Sequence, residues 1–250
     1  MEIVDAYTHC GVSKYQPIER VRAVMDAAGV GRAVLVQHLG EFDNNYLQRV
    51  VASDPDRYAG VCLVDDKSAE RIANLEALAR SGGFKGVRMV AEACLAASDL
   101  FRAAVDSGLV IVLYAPNGIA PIAEALERLL DDRPSARLVL THLGNPDPTD
   151  APAFTKYQKV WRLARFPQVH LQVSGMKMFC PYPHAPLHGL IHQALNHFGA
   201  ARLIWGSNFP VVGDQEDYMK DLHLLLDGVL PIPKESIEQI AGSNALRLWW

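Results

Sequence analysis

Eight short apolar runs, each followed by a longer amphipathic stretch, punctuate this 250-residue chain from end to end. Runs of four to seven such residues suit strands buried on both faces, and their alternation with helical stretches is the pattern of repeated βα units around a parallel sheet. The expected strands are Ile3–Tyr7, Arg32–Gln37, Tyr58–Val64, Gly86–Val90, Val110–Tyr114, Leu138–His142, Val169–Ser174 and Leu203–Gly206. Ala33-Val34-Leu35-Val36 and Val110-Ile111-Val112-Leu113 are continuous Val/Ile/Leu-rich runs of this kind. The pattern predicts a single α/β domain over residues 1–250, folded as a (β/α)8 TIM barrel.

The intervening stretches carry helix signals. Pro17 followed by Glu19 suits a helix start, and Gly29 and Gly31 suit its end. Ser68–Ala79 and Ile119–Leu130 repeat apolar residues at helical spacing. Two proline-rich segments follow strands and are therefore expected over the carboxyl ends of the barrel, where such folds keep their chemistry: Asn145–Phe154, and Met176–Pro186 with Pro181, Pro183 and Pro186. The second is the candidate substrate-capping loop. Trp249-Trp250 at the carboxyl terminus reads as an aromatic anchor, against the barrel or against another subunit of a homo-oligomer.

Charge and composition exclude some functions. Half the residues are apolar, and the net charge of −4 gives no basic footprint for nucleic acid or an anionic membrane surface. No apolar run is long enough to span a bilayer, and Met1-Glu2-Ile3-Val4-Asp5 enters a strand without a signal-like segment. Four cysteines without CxxC spacing suit a reducing compartment, so the expectation is a cytoplasmic protein acting on small molecules. Of these cysteines, Cys10 beside His9 is the one to test for reactivity.

In a barrel of this kind the reactive side chains project from the carboxyl ends of the strands. That filter selects Tyr7 and His9 on the first strand, His38 after the second, Asp65 after the third, Arg88 and Glu92 around the fourth, Tyr114 after the fifth, His142 after the sixth, Lys177 beyond the seventh and Asn208 after the eighth. His170, His188, His192, His197 and His223 fall within strand or helix patterns and read as structural.

Several motifs then occur in order: Asp5-Ala6-Tyr7-Thr8-His9, Phe42-Asp43-Asn44-Asn45-Tyr46, Gly86-Val87-Arg88, Leu140-Thr141-His142-Leu143-Gly144-Asn145-Pro146, Val173-Ser174-Gly175-Met176 and Trp205-Gly206-Ser207-Asn208-Phe209-Pro210. Together they resemble the amidohydrolase-related family. In that family the first motif normally reads Asp-x-His-x-His and the last Trp-Gly-Ser-Asp-Trp-Pro, the final Asp serving as metal ligand or general base. Here the first His is Tyr7 and the Asp is Asn208, a phenol and a neutral amide. The resemblance would put a metal on Tyr7, His9, His142 and Asn208, of which only His9 and His142 are good ligands. No cofactor is therefore expected, although zinc or manganese at a site rebuilt with His38 or Cys10 stays open.

Some family members, lactonases and lactone isomerases, are understood to work without metal, holding substrate carboxylates with cationic side chains. On that resemblance the leading expectation is a metal-independent hydrolase that opens a small anionic lactone or cyclic ester in catabolism. His142, His9, Asn208 and Tyr7 form the catalytic set, with His142 as base; Arg88, Tyr114, Lys177 and His38 form the substrate-binding set. Alternatives are a lactone isomerase, a decarboxylase or lyase, a metal-dependent hydrolase, and a catalytically silent barrel that binds an anionic metabolite.

Overall fold

The computed structural model describes residues 1–250. Eight parallel strands pair in sequence order: β1 Val4–Thr8, β2 Arg32–Val36, β3 Tyr58–Cys62, β4 Phe84–Val90, β5 Val110–Tyr114, β6 Leu138–Leu140, β7 Val169–Val173 and β8 Leu203–Trp205. The ring is completed just past β8, where Phe209 bridges Thr8, the Asn208 amide donates to the Tyr7 carbonyl at 2.8 Å, and the His9 amide donates to the Phe209 carbonyl at 2.8 Å. The helices are α1 Ile18–Ala27, α2 Asn45–Ser53, α3 Arg71–Arg80, α4 Ala91–Ala96, α5 Ser98–Asp106, α6 Ala123–Asp132, α7 Ala185–Phe198, α8 Gln215–Leu226, α9 Lys234–Glu238 and α10 Asn244–Trp249. After β6 the covering segment is a 3-10 stretch over Thr155–Arg165. This is the (β/α)8 barrel expected from the alternation.

The core divides as that fold requires. Val4, Ala6, Val34, Val36, Ala59, Val61, Val110, Val112, Val139 and Ile204 fill the barrel interior, and a larger apolar layer lies between strands and helices. Trp249 packs into the interior cluster and against Gly86, whereas Trp250 is partly exposed and donates its indole N–H to the Pro55 carbonyl. The terminal tryptophans thus anchor the chain to its own barrel.

A one-residue bulge in β1 is what aims the first functional side chains. Asp5 pairs with Ala33 and Thr8 with Leu35, so three steps on β1 match two on β2. A bulge reverses which positions face inward; Val4 and Ala6 line the interior below it, and Tyr7 and His9 take over above it. Asp5, outside the ring, ties β1 to β8 by accepting from the Ser207 backbone N–H at 2.8 Å and the Ser207 hydroxyl at 2.6 Å. Close contact between these strands requires Gly206, since a Cβ there would lie 2.8 Å from Tyr7 Cβ.

The expected sixth strand ran to His142, but β6 stops at Leu140 because His142, Leu143 and Asn145 take left-handed backbone angles that no strand accommodates. The β7–α7 loop is pinned by His184, which is fully buried and bridges the Cys180 carbonyl (Nδ1, 2.9 Å) and the Asp221 carboxylate on α8 (Nε2, 3.0 Å). Removing the imidazole leaves a buried carboxylate without a partner, a change that costs roughly 3–5 kcal/mol. His184→Ala should therefore lower the urea midpoint markedly, and His184→Ala combined with Asp221→Leu should recover much of the loss. Equal instability of single and double variants would show that the His184–Asp221 hydrogen bond is not what holds the loop.

Candidate functional site

Six of the expected residues meet at the carboxyl mouth of the barrel. Tyr7 lies edge-on to His142 (ring centroids 4.8 Å) and to His9 (5.1 Å), and Tyr114 approaches His142 at 5.9 Å. The Arg88 guanidinium sits over the rings of both Tyr114 (5.4 Å) and Tyr7 (5.9 Å). Asn208, with a left-handed backbone that Asn tolerates, places its amide beside the Met178 sulfur at 3.1 Å. Gly175 lets these groups converge: a Cβ there would stand 2.8 Å from His142 Nδ1 and 3.2 Å from Asn208 Nδ2.

Arg88 is the central charge of this mouth. It is 6% exposed, its Nη1 donates to the Gln37 carbonyl at 3.0 Å, and its Nε has no partner. The neighbouring acids do not neutralise it: Glu92 accepts from Asn117, Asp65 accepts from the Lys67 amide, and no carboxylate pairs with Arg88 within 4.0 Å. A buried cation without a counter-ion is costly, which makes this position a candidate site for an anion.

Hydrogen bonds fix the tautomer of His142. Gln172 donates its amide nitrogen to the Ala6 carbonyl at 3.0 Å, so its Oε1 is the atom that accepts from the Ser174 hydroxyl at 3.2 Å. With its one proton so directed, Ser174 Oγ accepts both the His142 backbone N–H (3.2 Å) and the His142 ring at Nδ1 (2.9 Å). His142 Nδ1 therefore carries the proton and Nε2 carries the free lone pair. Burial, reinforced by Arg88, lowers the His142 pKa to about 3, so the ring is neutral across the ordinary pH range.

His9 reaches the same state by another route. Its Nδ1 lies 2.6 Å from the Val36 carbonyl, which only accepts, so Nε2 is again unprotonated; burial first, then Arg88, holds its pKa well below the usual imidazole value. The Tyr7 hydroxyl is fully buried and unpartnered, and burial raises its pKa, so it stays a proton donor without an acceptor. A buried hydroxyl of this kind is free to donate to a water or to a bound group at the mouth.

His38 sits at the rim, reached through Tyr15, which stacks on His9 at 4.9 Å and meets His38 edge-on at 5.3 Å. Lys177 does not join the cluster: its ammonium is exposed and ion-paired with Asp217 on α8 at 2.6 Å. Cys10, expected as a testable thiol, is buried with its pKa pushed up to about 12 by burial, which makes it inert.

Over residues 6–249 the chain matches the family model described as amidohydrolase. It is 31% identical over 194 residues to an L-fucono-1,5-lactonase of Burkholderia ambifaria, an alignment covering 74% of this chain and 66% of that relative, so just under two thirds of the relative is spanned. The chain belongs to the amidohydrolase family. Among solved structures, a probable 2-pyrone-4,6-dicarboxylic acid hydrolase from Acinetobacter baumannii with citric acid bound superposes with a TM-score of 0.75 at 22% identity, over 99% of both chains. An amidohydrolase from Burkholderia multivorans with bound zinc gives 0.77 at 18% identity, again over 99% of both. At these identities the two structures establish the shared barrel.

A divalent metal needs about three donors of imidazole, carboxylate or thiolate type. In this amidohydrolase the mouth offers two imidazoles, a protonated phenol and an amide, and nowhere do three His, Cys, Asp or Glu side chains converge in a way that could hold an ion. The donor set does not fit a resident metal. Two contributors escape the strand-end filter, since Tyr15 lies on a loop and Gln172 sits inside β7; Ser174, at the end of the expected seventh strand, was a motif residue without a role. The alternation Gln172-x-Ser174 beside His142 was the available signal.

Nitrogen-15 spectra of labelled protein at pH 7 should show His142 with a protonated Nδ1 and an unprotonated Nε2, and Ser174→Ala should mix the two tautomers. An Nε2-protonated ring in the native protein would contradict the hydrogen-bond polarity.

Proposed function

We propose that this protein hydrolyses a small lactone or related cyclic ester that carries a carboxylate, and that it does so without a resident metal. The observation that carries this reading is Arg88, a buried guanidinium with no internal counter-ion, set over two tyrosines beside two neutral imidazoles. The substrate carboxylate pairs with Arg88, which suits planar two-point recognition. The L-fucono-1,5-lactonase relative and the citrate held by the A. baumannii neighbour support a lactone and an acidic ligand respectively.

In the proposed reaction His142 Nε2 takes a proton from water while the water oxygen bonds to the lactone carbonyl carbon. The hydroxyls of Tyr7 and Tyr114 donate to the developing oxyanion, a service worth about 3 kcal/mol per donor. The ring C–O bond then breaks, and the imidazolium returns its proton to the departing alkoxide, giving a hydroxy acid. His9 Nε2 and the Asn208 amide orient the water, and His38 binds substrate at the rim. A ring with a pKa of about 3 is a weak base, but the bound carboxylate neutralises Arg88 and so removes one of the two causes of that depression.

Two tests follow. Chelator-treated protein should release acid from carboxylated lactones, and His142→Asn should lower kcat by ~10² or more; stabilisation by every lactone without turnover, or a loss below threefold in the variant, would overturn the reading. The acid limb of kcat should lie at higher pH than that of kcat/KM, because the first reports the substrate complex and the second the free enzyme. The ring must be deprotonated to act, so kcat/KM should hold as pH falls below 6 and decline only toward pH 3. A kcat/KM limb at the ordinary imidazole value would exclude the buried His142 as base.

A further inference from the structure

Beside Arg88 an apolar cavity of about 100 Å3, not lined by His142, opens between the ends of β2, β3 and β4. Leu39, Phe42, Leu63, Val64 and Cys94 line it, and Arg88 closes one wall. Leu39 and Phe42 are among the few large apolar side chains left exposed, and both stand on the same β2–α2 loop. That loop is held in place: the buried Asn44 side chain donates to the Leu63 carbonyl at 2.9 Å and accepts from the Leu63 amide at 3.0 Å, with a further bond to the Phe42 carbonyl at 3.0 Å. An apolar recess on a clamped loop, next to a cation without a counter-ion, has the geometry of a binding site.

We infer that this recess binds a neutral apolar substituent of the substrate, a short alkyl chain or one small ring, attached close to the carboxylate that Arg88 holds. The inference rests on the reading of Arg88 as the anion holder and narrows the substrate class it implies. Polyhydroxylated substituents are disfavoured because the apolar walls leave their hydroxyls unpaired. A second carboxylate is disfavoured as well, since Asp66 stands at the same cavity. At the ~10–15 Å3 of such space that one water needs, the volume limits the group to no more than about seven to ten heavy atoms.

Ligand-detected NMR titrations of the intact protein with straight-chain carboxylates from acetate to octanoate, and with gluconate, test this. Affinity should rise about fourfold per methylene until the recess is full, and gluconate should bind no better than acetate. Ala93→Trp, which fills the recess from α4, and Phe42→Ser, at an exposed position, should each flatten the series while leaving acetate binding unchanged. A flat series in the wild-type protein, or a gradient that survives both variants, would overturn the recess while leaving the lactonase reading intact. Absence of binding by every carboxylate would overturn both. A gradient in a protein that turns over no lactone would support the recess and sink only the hydrolase.

Discussion

The charge on Arg88 organises the mouth of this barrel. It is buried, it is held to one carbonyl, and the chain supplies no carboxylate against it. Its field contributes to the depressed pKa of both His142 and His9 and opposes the burial that raises Tyr7. Such a group costs stability in the free protein, and filling the place with an anion relieves that cost, which is how a binding site trades folding stability for affinity. Burial and this one unpaired guanidinium together keep the two imidazoles neutral, and the proposed preference for an acidic ligand rests on the same charge.

Geometry at the mouth depends in turn on how the barrel closes. Asp5 and Ser207 join β1 to β8, the β1 bulge turns Tyr7 and His9 inward, and the Gln172–Ser174 chain reaches from the Ala6 carbonyl to the His142 ring. Burial raises Asp5 to about 6 against its hydrogen bonds, whereas His142 is lowered to about 3. Their effects on stability oppose. The Asp5 contribution is full below about pH 4 and is lost as pH rises through 6, while that of His142 is full above its unfolded value near 6.5 and is lost as pH falls toward 3.

Much of the fold was legible because parallel strands buried on both faces leave continuous apolar runs, and Val110–Tyr114 was read to the residue. Strand ends were less so, since the left-handed turn at His142 is not encoded by composition. Within the site, Tyr7, His9, Arg88, Tyr114, His142 and Asn208 were found because strand ends are where a barrel displays chemistry. Lys177 was drawn in by the same rule, although a partner on a distant helix, Asp217, holds it at the surface. Tyr15 and the role of Ser174 lay beyond reach for the converse reason: their work depends on a loop and on hydrogen-bond polarity that only three-dimensional neighbours define.

The most direct measurement is kcat/KM of wild type and Arg88→Met on one carboxylated lactone and on the same lactone with its carboxylate methylated. Arg88→Met is expected to lower the value on the acid by ~10² or more while changing the neutral ester less than about threefold, as loss of a charge-assisted pair to the carboxylate alone requires. Equal losses on both substrates would make Arg88 a structural residue and remove the basis for an anionic substrate.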